Sequence, residues 1–222
     1  MDRKIISTED GSHTIEVPQL GAMYHSVHGA IQESKHVYIE AGLNFVRNSS
    51  CPQPINIFEM GLGTGLNAFL TAIEAAKHMI MIRYTSIEQF PLSFEEVSLL
   101  NYPQHLQNQE LFFKIHEVNI GEEMMISKFF TLRKEKEDFT RYNLLNKFHL
   151  IYYDAFAPNT QPELWTNQIF EKLFNMLHSN GALVTYCSKG AVRRAMMAAG
   201  FNLKKLPGPP GKREMLRAVK SS

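Results

Sequence analysis

The feature that most constrains this fold is a glycine-rich segment, residues 58–67 (FEMGLGTGLN), between an apolar run and a helical pattern. Residues 55–59 predict a buried strand, and apolar residues at helical spacing predict a helix over Leu66–His78. In an open α/β sheet, ligands bind beyond the carboxyl ends of the strands, where glycines let a ligand approach the backbone. The segment therefore indicates a binding loop at the edge of a parallel sheet.

The chain after residue 54 alternates between strand and helix patterns, which predicts a mostly parallel α/β sheet covered on both faces. The last two strands lack a crossover helix and predict a C-terminal antiparallel hairpin on a seven-stranded, Rossmann-like sheet. We expect residues 1–54 to form a small elaboration packed on the core domain, 55–222. The predicted strands are 55–59, 80–87, 111–118, 148–153, 182–187, 201–206 and 214–219. The predicted helices are 66–78, 93–100 with Ser93 as N-cap, 124–129, 163–177 and 190–199. A charged stretch within 132–147 is expected to be solvated.

Cysteine use and the N-terminus indicate the compartment. The two cysteines, Cys51 and Cys187, form no CxxC pair, so neither a disulfide framework nor a cysteine zinc site is expected. The N-terminus lacks the shape of a signal peptide, and no apolar run approaches the length of a membrane span. We expect a cytoplasmic protein with no membrane partner.

The residues of the glycine loop narrow its ligand. A P-loop needs GK[ST] where this loop has GLN, and a dinucleotide fingerprint fits poorly because position 66 is Leu. The pattern present is E-x-G-x-G-x-G, and its acidic residue, Glu59, disfavours a pyrophosphate and favours a ligand with an ammonium group. S-adenosylmethionine has an amino acid end and no phosphate. The expected contacts of the loop with this cofactor are Glu59, Gly61, Gly63, Thr64, Gly65 and Asn67.

Two residues at later strand ends extend this cofactor site. Glu88 follows the second predicted strand, where a carboxylate can accept both ribose hydroxyls. Asn119 follows the predicted third strand and is placed to reach the adenine amine, although an Asn in a loop is commonly a turn former.

A second group of residues follows the fourth predicted strand, in YYDAFAP (152–158). Asp154 should face the cofactor's sulfonium at the carboxyl edge of the sheet, with Phe156 and Pro158 shaping a dry pocket. A carboxylate there can hydrogen-bond an amine nucleophile and orient its lone pair, so Asp154 is the candidate catalytic residue. A pocket of low dielectric favours the uncharged amine that can attack.

The net charge of +1 conceals a strongly basic C-terminal part. Residues 186–222 contain nine Lys and Arg against one Glu, and the rest of the chain is acidic. This asymmetry indicates either a polyanion partner at one edge or a solvated basic surface.

Five ordered blocks carry a resemblance to a known family: EMGLGTGLN, SIEQFPL (86–92), DAFAP with PELW (154–165), GAVRRAMMAAGF (190–201) and GPPGKREML (208–216). Together with YHSVHGAIQESKHVYIEAG (24–42), they resemble the bacterial tRNA 5-methylaminomethyl-2-thiouridine methyltransferases, the methyltransferase domain of MnmC, also found alone. The resemblance runs from about Tyr24 to Leu216.

The resemblance implies a class I methyltransferase fold and S-adenosylmethionine as cofactor. It implies methylation of the aminomethyl nitrogen of 5-aminomethyl(-2-thio)uridine at the wobble position of tRNA. A chain of 222 residues has no room for the flavin domain of the bifunctional relatives, so we expect a substrate that is already a free amine. The acidic residue that the family usually has after the third strand aligns here with Asn119, which places the adenine contact in question.

The expected partner is therefore tRNA, with no DNA, and the sequence leaves the oligomeric state open. Tyr24, Gln32 and Glu33 are expected to close over the cofactor, and Tyr24 to line the substrate pocket. His25, His28 and His36 have no convincing metal spacing, so no metal is expected. Reversing the charges of Lys212 and Arg213 should weaken tRNA binding. The candidate tRNA-binding cations are Lys189, Arg193, Arg194, Lys212 and Arg213, with Lys204 and Lys205 near the same edge.

Three other functions remain open on the residues alone. An aminopropyltransferase or another small-molecule or RNA methyltransferase would use the same fold without needing the basic C-terminus. A nicotinamide oxidoreductase is disfavoured by Leu66. A non-catalytic RNA-binding module is disfavoured by an intact glycine loop together with Asp154.

Overall fold

The computed structural model describes residues 2–49, 52–142 and 147–221, so Cys51 lies outside the described residues. No helix in these ranges is long and apolar enough to cross a membrane. The strands are β1 Lys4–Ser7, β2 His13–Val17, β3 Ala22–Met23, β4 Ile55–Met60, β5 Ile82–Ile87, β6 Glu123–Ser127, β7 Phe130–Glu135, β8 Phe148–Tyr153, β9 Leu177–Thr185, β10 Asn202–Pro207 and β11 Glu214–Val219. The helices are Ala30–Ser34, continued by a π-helical stretch Lys35–Leu43 and by Asn44–Asn48, then Leu66–His78, Phe94–Ser98, Tyr102–Leu106, Gln109–Glu117, Asn167–Met176 and Gly190–Ala198, with short 3₁₀ turns at Pro18–Leu20 and Pro162–Trp165.

The central sheet has eight strands in the order β10-β11-β9-β8-β4-β5-β7-β6, and β1, β2 and β3 form a separate small sheet. The five central strands, from β9 to β7, pair in parallel. Both edges are antiparallel, because β11 runs against β9 and β6 runs against β7. The α/β class, the mostly parallel sheet and the C-terminal hairpin are confirmed, with one more strand than predicted.

Several elements have the bounds expected from sequence. Helix Leu66–His78 and strands Phe148–Tyr153 and Glu214–Val219 match residue for residue. Ser93 caps its helix as expected: its side chain accepts a hydrogen bond from Glu96 N, and the Glu96 side chain returns to Ser93 N. This reciprocal capping box satisfies two backbone donors that the first helical turn leaves unpaired.

The third parallel strand was predicted in the wrong place. All of residues 111–118 (LFFKIHEV) except Val118 lie in helix Gln109–Glu117. Its N-cap is Asn108, whose side chain accepts a hydrogen bond from Leu111 N. Leu111, Phe112 and Ile115 are buried together. Their spacing is that of one helix face. For so short an apolar run the sequence pattern alone does not separate helix from strand, and the packing of this face against the core selects the helix.

The hairpin β6–β7 replaces the helix predicted for 124–129 and the first part, 132–135, of the solvated stretch predicted within 132–147, of which residues 143–146 lie outside the described residues. Strand β7 pairs in parallel with β5 and is the true third strand. Lys134 and Glu135, which suggested a solvated surface, are only 8% and 9% exposed at its end. The carboxyl edge of the sheet therefore continues from β7 into residues 136–140.

The N-terminal helical stretch packs directly on the central sheet. Tyr38 lies 5.1 Å from Tyr152 of β8, measured between ring centroids, and both side chains are fully buried. A Cβ on Gly42 would meet Val184 of β9 at 3.0 Å, so glycine permits this close approach. The stretch covers one face of the sheet and brings residues 24–33 to its carboxyl edge.

Candidate active site

The glycine loop leaves β4 in a conformation that side chains rarely adopt. Gly61, Gly63 and Gly65 all have positive φ, at +87°, +53° and +74°. A Cβ on Gly63 would lie 2.8 Å from Tyr24, and one on Gly65 would lie 2.6 Å from Nε2 of His116. Glycine is therefore required both by the backbone angles and by the close packing around the loop.

The Glu88 carboxylate is fixed at the end of β5 by two backbone donors. Gly63 N donates to its Oε2 at 3.1 Å, and Phe90 N donates to its Oε1 at 2.9 Å. These bonds connect the end of β5 to the glycine loop and hold the Glu88 carboxylate beside Gly63. Each carboxylate oxygen can still accept a further hydrogen bond.

A cavity of about 960 Å³ opens at this carboxyl edge of the sheet. Its walls come from the glycine loop, the ends of β5, β7, β8 and β9, the N-terminal segment and the turn between β10 and β11. Ligand sites of α/β folds lie at this edge. The lining includes Tyr24, Glu33, Gly61, Gly63, Glu88, Phe90, Glu137, Asp138, Asp154, Phe156, Gln161, Tyr186 and Lys212.

Asp154 follows β8 and lies in the cavity wall directly beside the glycine loop, where a Cβ on Gly61 would lie 3.2 Å from its backbone oxygen. Its Oδ2 accepts a hydrogen bond from Nδ2 of Asn67 at 2.8 Å. Burial raises the pKa of Asp154 to about 7, and the charge of Glu33 adds to the rise, while bonds from Tyr38 and Asn67 oppose it. A carboxyl group with such a pKa can accept or hold a proton near neutral pH.

Four residues expected to contact the cofactor lie behind the wall instead. Glu59 is fully buried, its Oε2 accepts a hydrogen bond from Ser86 Oγ at 2.9 Å, and burial raises its pKa well above the ordinary value. Thr64 Oγ1 lies 2.7 Å from Nε2 of His25, whose pKa burial lowers to about 4. Because Glu59, Thr64, Gly65 and Asn67 are buried and absent from the cavity lining, they shape the loop rather than form its surface.

Asn119 is not part of the cavity. It follows helix Gln109–Glu117 instead of a strand, is exposed, and donates a hydrogen bond to Glu122 at 3.0 Å. The segment that does follow the third strand brings Glu137 and Asp138 into the lining. The acidic residue after the third strand is therefore present in this chain.

The predicted aromatic pocket is partly correct. Tyr24 and Phe156 line the cavity and meet edge to face, with ring centroids 5.2 Å apart. Pro158 is half-buried beyond the lining, and Ala155, Phe156 and Ala157 form that wall. Sequence reasoning missed Tyr186, which follows β9 into the cavity and donates a hydrogen bond to Ala155 O at 2.9 Å.

The candidate tRNA-binding cations fall into two groups. Lys212 lines the cavity and donates to Oε1 of Glu33, a partner that the sequence did not predict. The others are outside the cavity lining, after β9 or in the turn before β11: Lys189, Arg194 and Arg213 are exposed and Arg193 is half-buried. Among the described residues, no three His, Cys, Asp or Glu side chains are grouped as a metal site would need.

Comparison with known proteins decides the family. The sequence model of a family described as S-adenosyl-L-methionine-dependent methyltransferase matches residues 101–221, more than half of the chain. The chain belongs to this family. Its cofactor is S-adenosylmethionine, and the protein is an enzyme.

The curated relatives are longer than this chain. A protein of Leptospira borgpetersenii serovar Hardjo-bovis (strain JB197), named tRNA 5-methylaminomethyl-2-thiouridine biosynthesis bifunctional protein MnmC, is 31% identical over 87% of this chain. A protein of the same name from Burkholderia mallei (strain SAVP1) is 29% identical over 96% of it. The alignments cover 31% and 34% of those proteins, so the chain spans about a third of their length.

Solved structures share the fold of this methyltransferase. The crystal structure of MNMC2 from Aquifex aeolicus matches all of this chain and 71% of its own, with a TM-score of 0.80 and 24% identity. CalS10, an amino pentose methyltransferase from Micromonospora echinaspora with bound S-adenosylmethionine, matches 80% of this chain and 88% of its own, with a TM-score of 0.51 and 13% identity. At these identities the two structures establish the fold alone.

The cavity fits S-adenosylmethionine chemically. On the side of the glycine loop it presents bare backbone at Gly61 and Gly63 together with the carboxylates of Glu88 and Asp138. A carboxylate wall repels phosphates and can accept hydrogen bonds from hydroxyl and amino groups. A ligand that carries a ribose, an adenine and an ammonium group and no phosphate matches these donors and acceptors.

Proposed function

We propose that this methyltransferase transfers a methyl group to the aminomethyl nitrogen of 5-aminomethyl(-2-thio)uridine at the wobble position of tRNA. The observation that carries the proposal is Asp154, a carboxyl with a pKa of about 7 in the wall of a cavity shared with the glycine loop. The names of the Leptospira and Burkholderia relatives support the same nucleoside. The proposal also places the chain in the cytoplasm, where tRNA is modified.

The glycine-loop side of the cavity is assigned to the cofactor. Gly61 and Gly63 offer backbone that a ligand can approach closely, and Glu88 accepts the ribose hydroxyls. Asp138 replaces Asn119 as the acceptor for the adenine amine, since it follows the true third strand and lines the cavity. Glu59 and Asn67 act from behind the wall, where Asn67 also holds the Asp154 carboxylate.

The Asp154 side of the cavity is assigned to the substrate amine. S-adenosylmethionine supplies an electrophilic methyl group, whose bond to sulfur breaks as the amine nitrogen bonds to that carbon. Asp154 accepts a hydrogen bond from the amine, orients its lone pair and holds the proton that an incoming ammonium must lose. Tyr24, Phe156 and Tyr186 exclude water around it, which favours the uncharged, nucleophilic amine.

Exposed cations around the cavity are assigned to tRNA phosphates. Arg194 lies in the helix after β9, and Arg213 lies in the turn before β11, so both are at the carboxyl edge that holds the cavity. Charge reversal in Arg194→Glu/Arg213→Glu is expected to weaken tRNA binding and to flatten its dependence on salt, because fewer counterions are released. Fluorescence anisotropy across a salt series measures both.

The control is a single charge reversal, Lys128→Glu, at an exposed position in the β6–β7 turn at the opposite edge of the sheet, and each single variant, Arg194→Glu and Arg213→Glu, is compared with it. We expect the control to bind tRNA as the wild type does. Equal affinity and equal salt slopes for the double variant and the wild type would refute the assignment of these cations.

Nucleoside mass spectrometry of tRNA from cells lacking this protein tests the substrate in vivo. We expect the methylaminomethyl nucleoside to disappear and its aminomethyl precursor to accumulate, and expression of the chain to restore it. An unchanged nucleoside profile would refute the proposed substrate and leave the methyltransferase family assignment intact.

A further inference from the structure

A partly buried ion pair lies in the wall of the cavity that also holds Asp154. Glu33, in the N-terminal helical stretch, is 6% exposed, and its Oε1 accepts a hydrogen bond from Nζ of Lys212. Its Oε2 accepts one from Ser26 N at 2.8 Å. Lys212 comes from the turn between β10 and β11, so the pair joins the two ends of the chain across the cavity wall.

The Lys212 ammonium is bound as an alkylammonium ligand would be. Its Nζ lies 4.0 Å from the centroid of the Tyr186 ring while it donates to Glu33. An aromatic face and a carboxylate together are a common environment for a bound organic cation. Tyr186 in turn is fixed through Ala155, the neighbour of Asp154. A cation site therefore exists beside the candidate catalytic carboxylate.

The fold does not need this ion pair to hold the hairpin turn in place. The turn that carries Lys212 is held in place by other contacts: Nε2 of His36 lies 2.8 Å from Pro207 O. Gly211 packs so closely on His28 that a Cβ would lie 2.0 Å from its ring. Ion pairs contribute little net stability, whether they are exposed or replace apolar side chains of the same volume in the interior. Both charged groups face the cavity, which indicates a role in binding.

We infer that Glu33 is a second carboxylate of the amine site and that Lys212 occupies, in the free enzyme, the place of the substrate's ammonium. The ligand class is a primary alkylammonium carried on a nucleoside. On binding, the substrate amine takes the hydrogen bond of Glu33 and the face of Tyr186, and Lys212 turns outward. Glu33 is thus a binding and specificity residue, and Lys212 is a positioning residue. This inference rests on the proposed function.

The charges of Glu33 and Lys212 also affect the pKa of Asp154. The charge of Glu33 raises the pKa of Asp154, and the charge of Lys212 lowers it. Neutralising one partner or the other should therefore shift the titration of Asp154 in opposite directions. The ionisable groups that interact with Asp154 are Glu33 and Tyr38 from the N-terminal helical stretch, Glu59 from β4, Tyr84 from β5, Tyr186 after β9 and Lys212 from the hairpin turn.

The test compares the wild type with Glu33→Gln, Lys212→Met and Lys212→Arg on tRNA that contains 5-aminomethyluridine. In Glu33→Gln we expect KM for tRNA to rise about tenfold or more, because a hydrogen bond to a charged group is lost. The acidic limb of the pH profile of kcat/KM, which reports the free enzyme, should move to lower pH in Glu33→Gln and to higher pH in Lys212→Met. Lys212→Arg should restore the wild-type profile. Calorimetry should give S-adenosylmethionine affinities within about twofold of wild type in all three.

Several outcomes would overturn the inference. If either neutralising variant loses affinity for S-adenosylmethionine, the pair binds the amino acid end of the cofactor instead of the substrate. If KM and the pH profile stay unchanged in folded variants, the pair is merely structural, and melting curves establish whether each variant is folded. A wild-type chain that leaves this tRNA unmethylated would refute the proposed function itself, which separates that failure from the other two.

Discussion

Asp154→Asn is expected to lower kcat/KM for aminomethyluridine tRNA by about 10²- to 10⁴-fold, the usual contribution of a positioned acid–base group. The Asn side chain retains the shape of the carboxylate but can neither hold a proton nor polarise an amine as an anion. Steady-state rates with labelled S-adenosylmethionine measure the loss, and calorimetry should find cofactor binding unchanged. Activity within a few-fold of wild type would remove Asp154 from the reaction.

The same substitution should change stability in a pH-dependent way. The Asp154 carboxyl has an ordinary pKa of 3.8 and a pKa of about 7 in the folded protein. The folded state therefore binds this proton more tightly, so wild-type stability falls as the pH rises from about 4 through 7. Asparagine is neutral throughout and avoids that loss. We expect Asp154→Asn to have the higher Tm at pH 8, with a smaller difference at pH 5. A larger difference at pH 5 would contradict the burial of this carboxyl.

Gly63→Val is expected to weaken S-adenosylmethionine binding by about a hundredfold or more. Valine is strained at the φ of +53° found here, and a Cβ would lie 2.8 Å from Tyr24. Relief of that overlap pushes the Tyr24 ring or the loop into the cavity. Calorimetry measures the affinity, and the rise in Tm on adding cofactor gives an independent measure.

The matched control for this substitution is Gly121→Val. Gly121 also has a positive φ, +80°, and a Cβ there would meet nothing within 4 Å. The control therefore carries the backbone strain without the overlap at the cofactor loop. We expect it to lose stability and to retain cofactor affinity. Equal affinity in the two variants would show that the close packing at Gly63 does not shape the cofactor site.

Elements with an unambiguous local pattern could be predicted from the sequence. Helix Leu66–His78 has helical apolar spacing after a glycine turn, and strand Phe148–Tyr153 is a short apolar run that ends at Asp154. Residues 111–118 have an ambiguous pattern, because a mainly apolar run of eight residues fits a buried strand and one face of a helix equally well. The competing hairpin β6–β7 carries charged residues, and only the structure shows that two of them, Lys134 and Glu135, are buried.

The misplaced third strand also explains the largest error in the predicted site. Once the third strand was placed at 111–118, Asn119 took the position at the sheet edge that belongs to Asp138. Asp154, Glu88, Gly61 and Gly63 line the cavity as the sequence predicted, because they lie at or just after the ends of correctly assigned strands. The distinction between Gly63 on the wall and Thr64 behind it depends on backbone angles that sequence patterns do not determine.

The pair of Glu33 and Lys212 could not be predicted from local patterns. The two residues are 179 positions apart, and each resembles an ordinary surface charge in its own segment. The two residues meet only in the folded chain. The sheet order pairs the C-terminal hairpin with β9, and the hairpin also contacts the N-terminal helical stretch. A basic C-terminus correctly drew attention to the hairpin, but Lys212 faces inward whereas Arg213 is exposed.

The central claim is that this methyltransferase acts on a wobble-position aminomethyl nitrogen of tRNA. The most direct measurement incubates the purified chain with S-adenosylmethionine and tRNA carrying 5-aminomethyl(-2-thio)uridine, followed by digestion and nucleoside mass spectrometry. We predict that this nucleoside gains one methyl group on its exocyclic nitrogen, and that tRNA with unmodified wobble uridine gains none. Absence of methylation on the aminomethyl tRNA, or methylation at another nucleoside, would contradict the account.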